Sequence, residues 1–211
     1  MHVRNTGGQT APMDTQTPGN RPAAHSSFNL NVEPVINAGG PNTKHSGSRP
    51  RPSVLEAMEL ASSDFYNMDE LLIEAGNRIA GLIGAEAATI TSGASGGLVV
   101  QAAAAIARDD QEKISSLPVT DGMANELIIL KHHRFIYDHL YLVPGARFVE
   151  VGTEDLCTPD DVENAITDKT AGIIHLESPW KNNTDVPLPL LADIAHRHGL
   201  PILCDAASML P

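Results

Sequence analysis

Cysteine is almost absent from this sequence. Cys157 and Cys204 are too few and too far apart for a disulfide framework or a zinc site. Cys204, inside an apolar run, reads as a small core residue. No stretch approaches the roughly 18 consecutive apolar residues that a membrane span needs. The N-terminus also lacks the apolar core of a secretory signal. Basic charge is short as well: 14 Lys and Arg stand against 26 Asp and Glu, a net charge of −12. Phosphate backbones are held by clustered cations, so neither nucleic acid nor a membrane is an expected partner. The expected setting is soluble, reducing and cytoplasmic. With 42% apolar and 19% charged residues, 211 residues suit one α/β domain or a domain with a tail.

Residues 1–31 are rich in Gly, Pro, Thr, Asn and Gln and carry no apolar period, which predicts a disordered tail. Residues 32–51 read as an N-terminal arm and loop, and 52–211 as the main domain. Pro52 opens a helical pattern through Val54, Leu55, Met58 and Ala61. Leu71, Leu72, Ala75, Ile79, Leu82 and Ile83 predict a second helix, capped by Asn67 or Asp69 and stopped at Gly84. Ala87–Thr91 reads as a short buried strand, Ser92–Gly97 as a turn and Leu98–Ala107 as an apolar helix. Strands are expected at 127–131, 147–151, 171–176 and 201–205. Helices are expected after Thr158 and over 188–198, with a long polar connection from Arg108 to Asn125. Buried strands alternating with helices predict a mostly parallel sheet covered on both faces.

Three places could carry chemistry. The glycine-rich turn Ser92–Gly97 lies between a strand and a helix, where backbone N–H groups can converge on a phosphate. It is neither a Walker motif nor G-x-G-x-x-G, and such glycines can equally be steric punctuation. Asp205 ends an apolar strand, where ligands of open parallel sheets collect. A carboxylate there can keep a ring nitrogen protonated, or can simply cap a helix. His132 and His133 follow another strand end. One of them could stack on an aromatic ring, while a surface loop or a metal site are the alternatives.

Several segments in order resemble one family. They are Val35-Ile36-Asn37-Ala38-Gly39-Gly40, Asn67–Leu71, Gly84–Ala94, Asn125–Ile129, His133-Arg134 with Tyr137-Asp138, and Ala195–Gly199 through Asp205-Ala206-Ala207. The resemblance, running from about residue 34 to the end of the chain, is to the selenocysteine-synthase-like group of fold-type-I pyridoxal-phosphate enzymes. That group includes seryl-tRNA selenium transferases and glucosaminate-6-phosphate ammonia-lyases. It implies a partial fold-type-I large domain and pyridoxal 5'-phosphate as cofactor. Ser92, Gly93, Ala94 and Ser95 would cradle the phosphate. His133 would stack on the ring, Asp205 would pair with the ring nitrogen, and Ala207 would pack beneath it. Asp205 and His133 are then the residues expected to carry the chemistry. Asn37 and Arg49, in the early loop, are candidates for substrate contact.

The implied activity is elimination of ammonia from a small amino acid or amino sugar acid, in a homodimer or larger homo-oligomer. The alternatives are a tRNA-directed selenium transferase, which the acidic charge opposes, a non-catalytic truncated product, and a nicotinamide-binding Rossmann domain. The family's Schiff-base lysine lies downstream of the aspartate. Lys44, Lys113, Lys131, Lys169 and Lys181 all precede Asp205 without a matching context. The lysine is therefore expected beyond residue 211, with this chain an N-terminal fragment inactive by itself.

Overall fold

The computed structural model describes residues 32, 34–41, 43–181, 185–207 and 209. The tail expected over 1–31 lies outside them. The chain divides into two units between Phe65 and Tyr66.

The first unit holds a 3-10 turn, Thr43–His45, and helix α1, Pro52–Ala61. Pro52 occupies the first helical position, where its fixed φ fits and its missing N–H is not needed. The apolar side chains expected on one face of α1, Val54, Leu55 and Met58, are exposed.

The second unit begins with α2, Met68–Ile83. The Asn67 side chain accepts from the N–H groups of Asp69 and Glu70, and Gly84, left-handed at φ 71°, ends the helix. Gly76 is required by packing: a Cβ there would lie 2.2 Å from the carbonyl oxygen of Ala88. The strand expected at Ala87–Thr91 is not one. Among the described residues no neighbouring strand completes a ladder with it, and Ile90 is exposed rather than buried. Helix α3, Ala94–Ala107, starts within the expected turn, taking Ser95, Gly96 and Gly97 into its first turns. The long polar connection contains a short helix, α4 (Gln111–Ser116), whose cap Asp110 accepts from the N–H groups of Glu112 and Lys113.

Four strands make one parallel sheet: β1 Glu126–Leu130, β2 Arg147–Val151, β3 Thr170–Leu176 and β4 Ile202–Asp205, in the order β2-β1-β3-β4. Helix α5, Pro159–Ala165, leads into β3, and α6, Leu188–Arg197, leads into β4. Thr158 and Asp161 form a reciprocal capping box at the start of α5.

Successive strand side chains point to opposite faces, and β1 divides its residues accordingly. Leu127 and Ile129 pack with Leu98, Ala102 and Ile106 of α3, whereas Ile128 and Leu130 pack with Val162 of α5 and Leu191 and Ile194 of α6. Both faces are therefore covered, which is why β1 and β3 read as continuous apolar runs instead of alternating ones. Truncating one of these fully buried Leu or Ile side chains to Ala would cost about 2–5 kcal/mol. The expected mostly parallel sheet with helices on both faces is the architecture found. In β3 and β4, Leu176 stands opposite Asp205 at their carboxyl ends.

Candidate functional site

Directly after β1 the chain makes a 3-10 turn, Lys131–His133, which tucks both histidines inside. This rules out the surface-loop alternative. The two rings are 4.6 Å apart at 76° and face different neighbours. His132 Nε2 lies 3.5 Å from Asp185 Oδ1. His133 turns toward β3, where the Leu176 N–H donates to its Nδ1 at 3.4 Å and the His175 ring lies 5.0 Å away, edge to face. Among the described residues no group of three or more His, Cys, Asp or Glu side chains is placed to hold a metal ion.

The turn is held from both sides. The Lys181 ammonium donates to the carbonyls of His132 at 2.8 Å and Arg134 at 2.9 Å. Arg134 pairs with Asp138 and Glu150 while its guanidinium carbon lies 4.7 Å from the centre of the Phe148 ring. The hydrogen bond to Asp138 is the main influence that raises the Arg134 pKa above its ordinary value. Asp185 is likewise a built-in anchor, accepting from the N–H groups of Cys157 and Val186. Burial works to raise its pKa, but those two N–H groups and the neighbouring His132 outweigh it, and the net shift is downward.

Asp205 ends β4, across from Leu176 of β3, and so stands two strands from this turn, with parallel strands about 4.8 Å apart. Asp205 is 9% exposed, and its carboxylate accepts the Ala207 N–H at 3.0 Å through Oδ1. No cationic side chain among the described residues pairs with it, although a buried carboxylate is normally paired. Its field reaches its neighbours. Burial raises the Tyr141 pKa, helped next by Asp205, and burial raises that of Cys204, helped by Glu177 and Asp205. A positive group would be stabilised here.

The third feature is the start of α3. Gly93 caps it at φ 90° and ψ 179°, backbone open only to glycine, and among the described residues no side chain caps the first helical N–H groups. These donors and the positive helix end face outward. The Thr91 hydroxyl donates to the Gly93 carbonyl at 2.9 Å, which fixes the turn. Gly96 leaves room for the Ser92 hydroxyl, which would lie 2.7 Å from a Cβ at that position. Ser92, Gly93, Ala94 and Ser95 are all exposed.

Helix α3 runs along β4 toward this end. Arg108, just past its C-terminus, donates to the Gly199 carbonyl ahead of β4, and Gln101 donates to the Cys204 carbonyl near the end of β4. Ala94 stands seven residues before Gln101, so the helix start projects roughly 10 Å further along the same direction. The glycine turn, His133 and Asp205 thus all belong to the carboxyl edge of one sheet. An outward-facing set of free N–H donors and an unpaired buried carboxylate suit a ligand with an anionic group and a protonated ring nitrogen. Pyridoxal phosphate has both.

The early-loop candidates belong to the first unit. Asn37 and Arg49 line one cavity of about 840 Å³ there. The Asn37 amide is used locally, donating to the Gly40 carbonyl at 2.8 Å and accepting from the Gly39 N–H at 3.0 Å.

Three residues near the site have no signature in the sequence. His175 sits inside an apolar strand pattern, Tyr141 reads as one more core aromatic, and Lys181 has no motif around it. Among the described residues, Tyr141 Oη and Gln101 Oε1 are buried without hydrogen-bond partners.

Known proteins are similar to this chain in sequence and fold. A solved structure of D-glucosaminate-6-phosphate ammonia-lyase superimposes with a TM-score of 0.80 at 33% identity, over 84% of this chain and 49% of that one. Over the matched residues the two share one fold. D-glucosaminate-6-phosphate ammonia lyase of Salmonella typhimurium (strain 14028s / SGSC 2262) is 33% identical over 184 residues, 85% of this chain and 50% of its own length. A 5'-C-glycyluridine monooxygenase-decarboxylase from Streptomyces sp is 30% identical over 185 residues, 84% of this chain and 46% of its own. Residues 141–211 match the DegT/DnrJ/EryC1/StrS aminotransferase family. The chain spans about half the length of the curated relatives it matches.

Proposed function

We propose that this chain is the cofactor-binding part of a pyridoxal-phosphate-dependent lyase that removes ammonia from a small amino acid or amino sugar acid. The observation that carries this reading is Asp205, a buried carboxylate with no cationic partner among the described residues, at the carboxyl edge of the sheet. The likeness to D-glucosaminate-6-phosphate ammonia lyase supports the reaction class.

Bound pyridoxal phosphate supplies an electron sink for the charge left when a proton leaves the substrate. The chain's own residues supply binding and electrostatics. Ser92, Gly93, Ala94 and Ser95, at the open start of α3, hold the phosphate with backbone N–H groups and the helix field. His133, pinned by the Leu176 N–H, offers its ring for stacking. Asp205, steadied by the Ala207 N–H, would keep a ring nitrogen protonated, and Ala207 would pack against the ring. The turn is kept in shape by Lys181, Arg134 and Asp138.

Asn37 and Arg49 serve as substrate contacts in this reading, supported by the cavity they share. A cytoplasmic homodimer or larger homo-oligomer is the expected form. Exposed Ile73, Leu82 and Ile83 on α2 support it, being apolar surface that a second subunit can cover. The narrower kinship with seryl-tRNA selenium transferases rests on shared motif order, and a net charge of −12 speaks against a tRNA substrate.

The test is titration of the chain with pyridoxal phosphate, followed by quenching of its single tryptophan, Trp180. Saturable binding that inorganic phosphate competes away and Asp205→Ala weakens is the expected result. Equal binding by the wild type and Asp205→Ala would remove the assignment.

A further inference from the structure

We propose that His175 and Glu177 form a positioning pair that holds the His133 ring against the Leu176 N–H, the donor that fixes its tautomer; this rests on the reading of His133 as the stacking residue. Three consecutive residues of one segment act on that ring. His175, fully buried near the end of β3, places its ring 5.0 Å from the His133 ring at 82°. The Leu176 N–H donates to His133 Nδ1 at 3.4 Å. Glu177 Oε2 lies 3.0 Å from His175 Nε2.

The chemistry of these contacts fixes where the protons are. A carboxylate only accepts, so His175 Nε2 carries a hydrogen directed at Glu177. Among the described residues His175 Nδ1 is buried with no hydrogen-bond partner, so the bond to Glu177 is what orients this ring. His133 Nδ1 accepts a backbone N–H and so carries no hydrogen itself, which leaves the proton of neutral His133 on Nε2. A carboxylate that orients a histidine, which in turn orients the working ring, is the arrangement by which outer residues set the ligands of metal sites.

The same segment reaches the other functional residue. The Glu177 N–H donates to the Asp205 backbone carbonyl at 2.8 Å, so residues 175–177 link His133 to the strand end that carries the acid. On its other side, His133 meets the His132 ring at 4.6 Å, and His132 in turn faces Asp185. A histidine following Ile173 and Ile174 in a fully buried strand, tethered to a partly exposed glutamate, has no packing reason that an isoleucine would not serve as well.

The tests separate positioning from packing. The Glu177 side chain is 34% exposed, so Glu177→Ala and Glu177→Gln leave the core intact, and His175→Phe retains aromatic volume. The first readout is nitrogen NMR of the histidine side chains in the chain without added cofactor. Wild-type His133 should show a single tautomer with the proton on Nε2. Glu177→Ala and His175→Phe should show a mixture of tautomers, and Glu177→Gln, which keeps an acceptor, should restore the wild-type pattern. The second readout is pyridoxal phosphate affinity, expected to fall about tenfold in Glu177→Ala and His175→Phe, as when a hydrogen-bonded outer residue is lost. An unchanged His133 tautomer in both variants would overturn the proposal, whatever the cofactor does. Equal cofactor affinity of wild type and His133→Ala would instead overturn the stacking role on which it rests.

Discussion

Three glycines in one turn should give three different results when each is replaced by alanine. At Gly93 nothing lies within 4 Å of an added Cβ, so there is no clash; the difficulty is the backbone, at φ 90° and ψ 179°. Holding alanine there costs about 1–3 kcal/mol. For a chain of this size a cost of about 2 kcal/mol lowers the melting temperature by roughly 4–8 °C. Gly97 is the opposite case. It lies inside α3, and its Cβ would make an ordinary contact, 3.8 Å from the Thr91 hydroxyl oxygen. Alanine there should stabilise by about 0.5–1 kcal/mol, since glycine is a poor helix interior residue. At Gly96 the added carbon meets the Ser92 hydroxyl oxygen at 2.7 Å, and that short side chain can rotate away. Stability should change little, but a phosphate contact from Ser92 would be lost. Melting curves by far-UV circular dichroism, paired with inorganic phosphate titrations, read all three. Gly93→Ala should lose both stability and phosphate affinity, Gly96→Ala affinity alone, and Gly97→Ala neither. If Gly93→Ala melts at or above the wild type, or Gly97→Ala falls below Gly93→Ala, the conformation assigned to this turn is wrong.

Asp205→Asn keeps an acceptor for the Ala207 N–H but removes the charge. It should fold normally and bind pyridoxal phosphate at least about tenfold more weakly, the scale of one lost charged hydrogen bond, whereas unchanged affinity would disprove the ring-nitrogen role. His133→Ala should reduce cofactor affinity more than His132→Ala, because only His133 faces Leu176 and His175; equal losses would mean the other ring, or neither, does the stacking. Asp185 has a folded pKa below its unfolded one, so its contribution is complete above the ordinary aspartate range near pH 4 and disappears as pH falls through the folded value. Asp185→Asn should accordingly flatten the acid limb of a stability-against-pH curve, and an unaltered limb would count against the anchor role.

The sequence exposed those elements whose signals are local. Asn67, Gly84, Pro52 and Thr158 are found at the helix ends where their side chains or backbone preferences put them. The apolar runs of β1 and β3 matched buried strands to within a residue, and the strand at Arg147–Val151 to the residue. Ala87–Thr91 failed because strand character depends on a neighbour, which no single segment reveals. Helix α4 was missed although Asp110 is a recognisable cap, since its six residues carry no apolar face. In the candidate site, Asp205, His133 and the glycine turn could be found because each follows or ends an element. His175, Lys181 and Tyr141 could not, as their importance comes from residues more than thirty positions away that folding brings beside them.

Helix α3 is fastened to the β4 side of the sheet at Gln101 and again at Arg108. The open start of α3 and Asp205 at the end of β4 are in consequence held at one spacing by a continuous helix tied beside that strand. A molecule spanning both would find its contacts already spaced. The loss of freedom that usually weakens recognition by separate loops has then occurred when the chain folds, before any guest arrives.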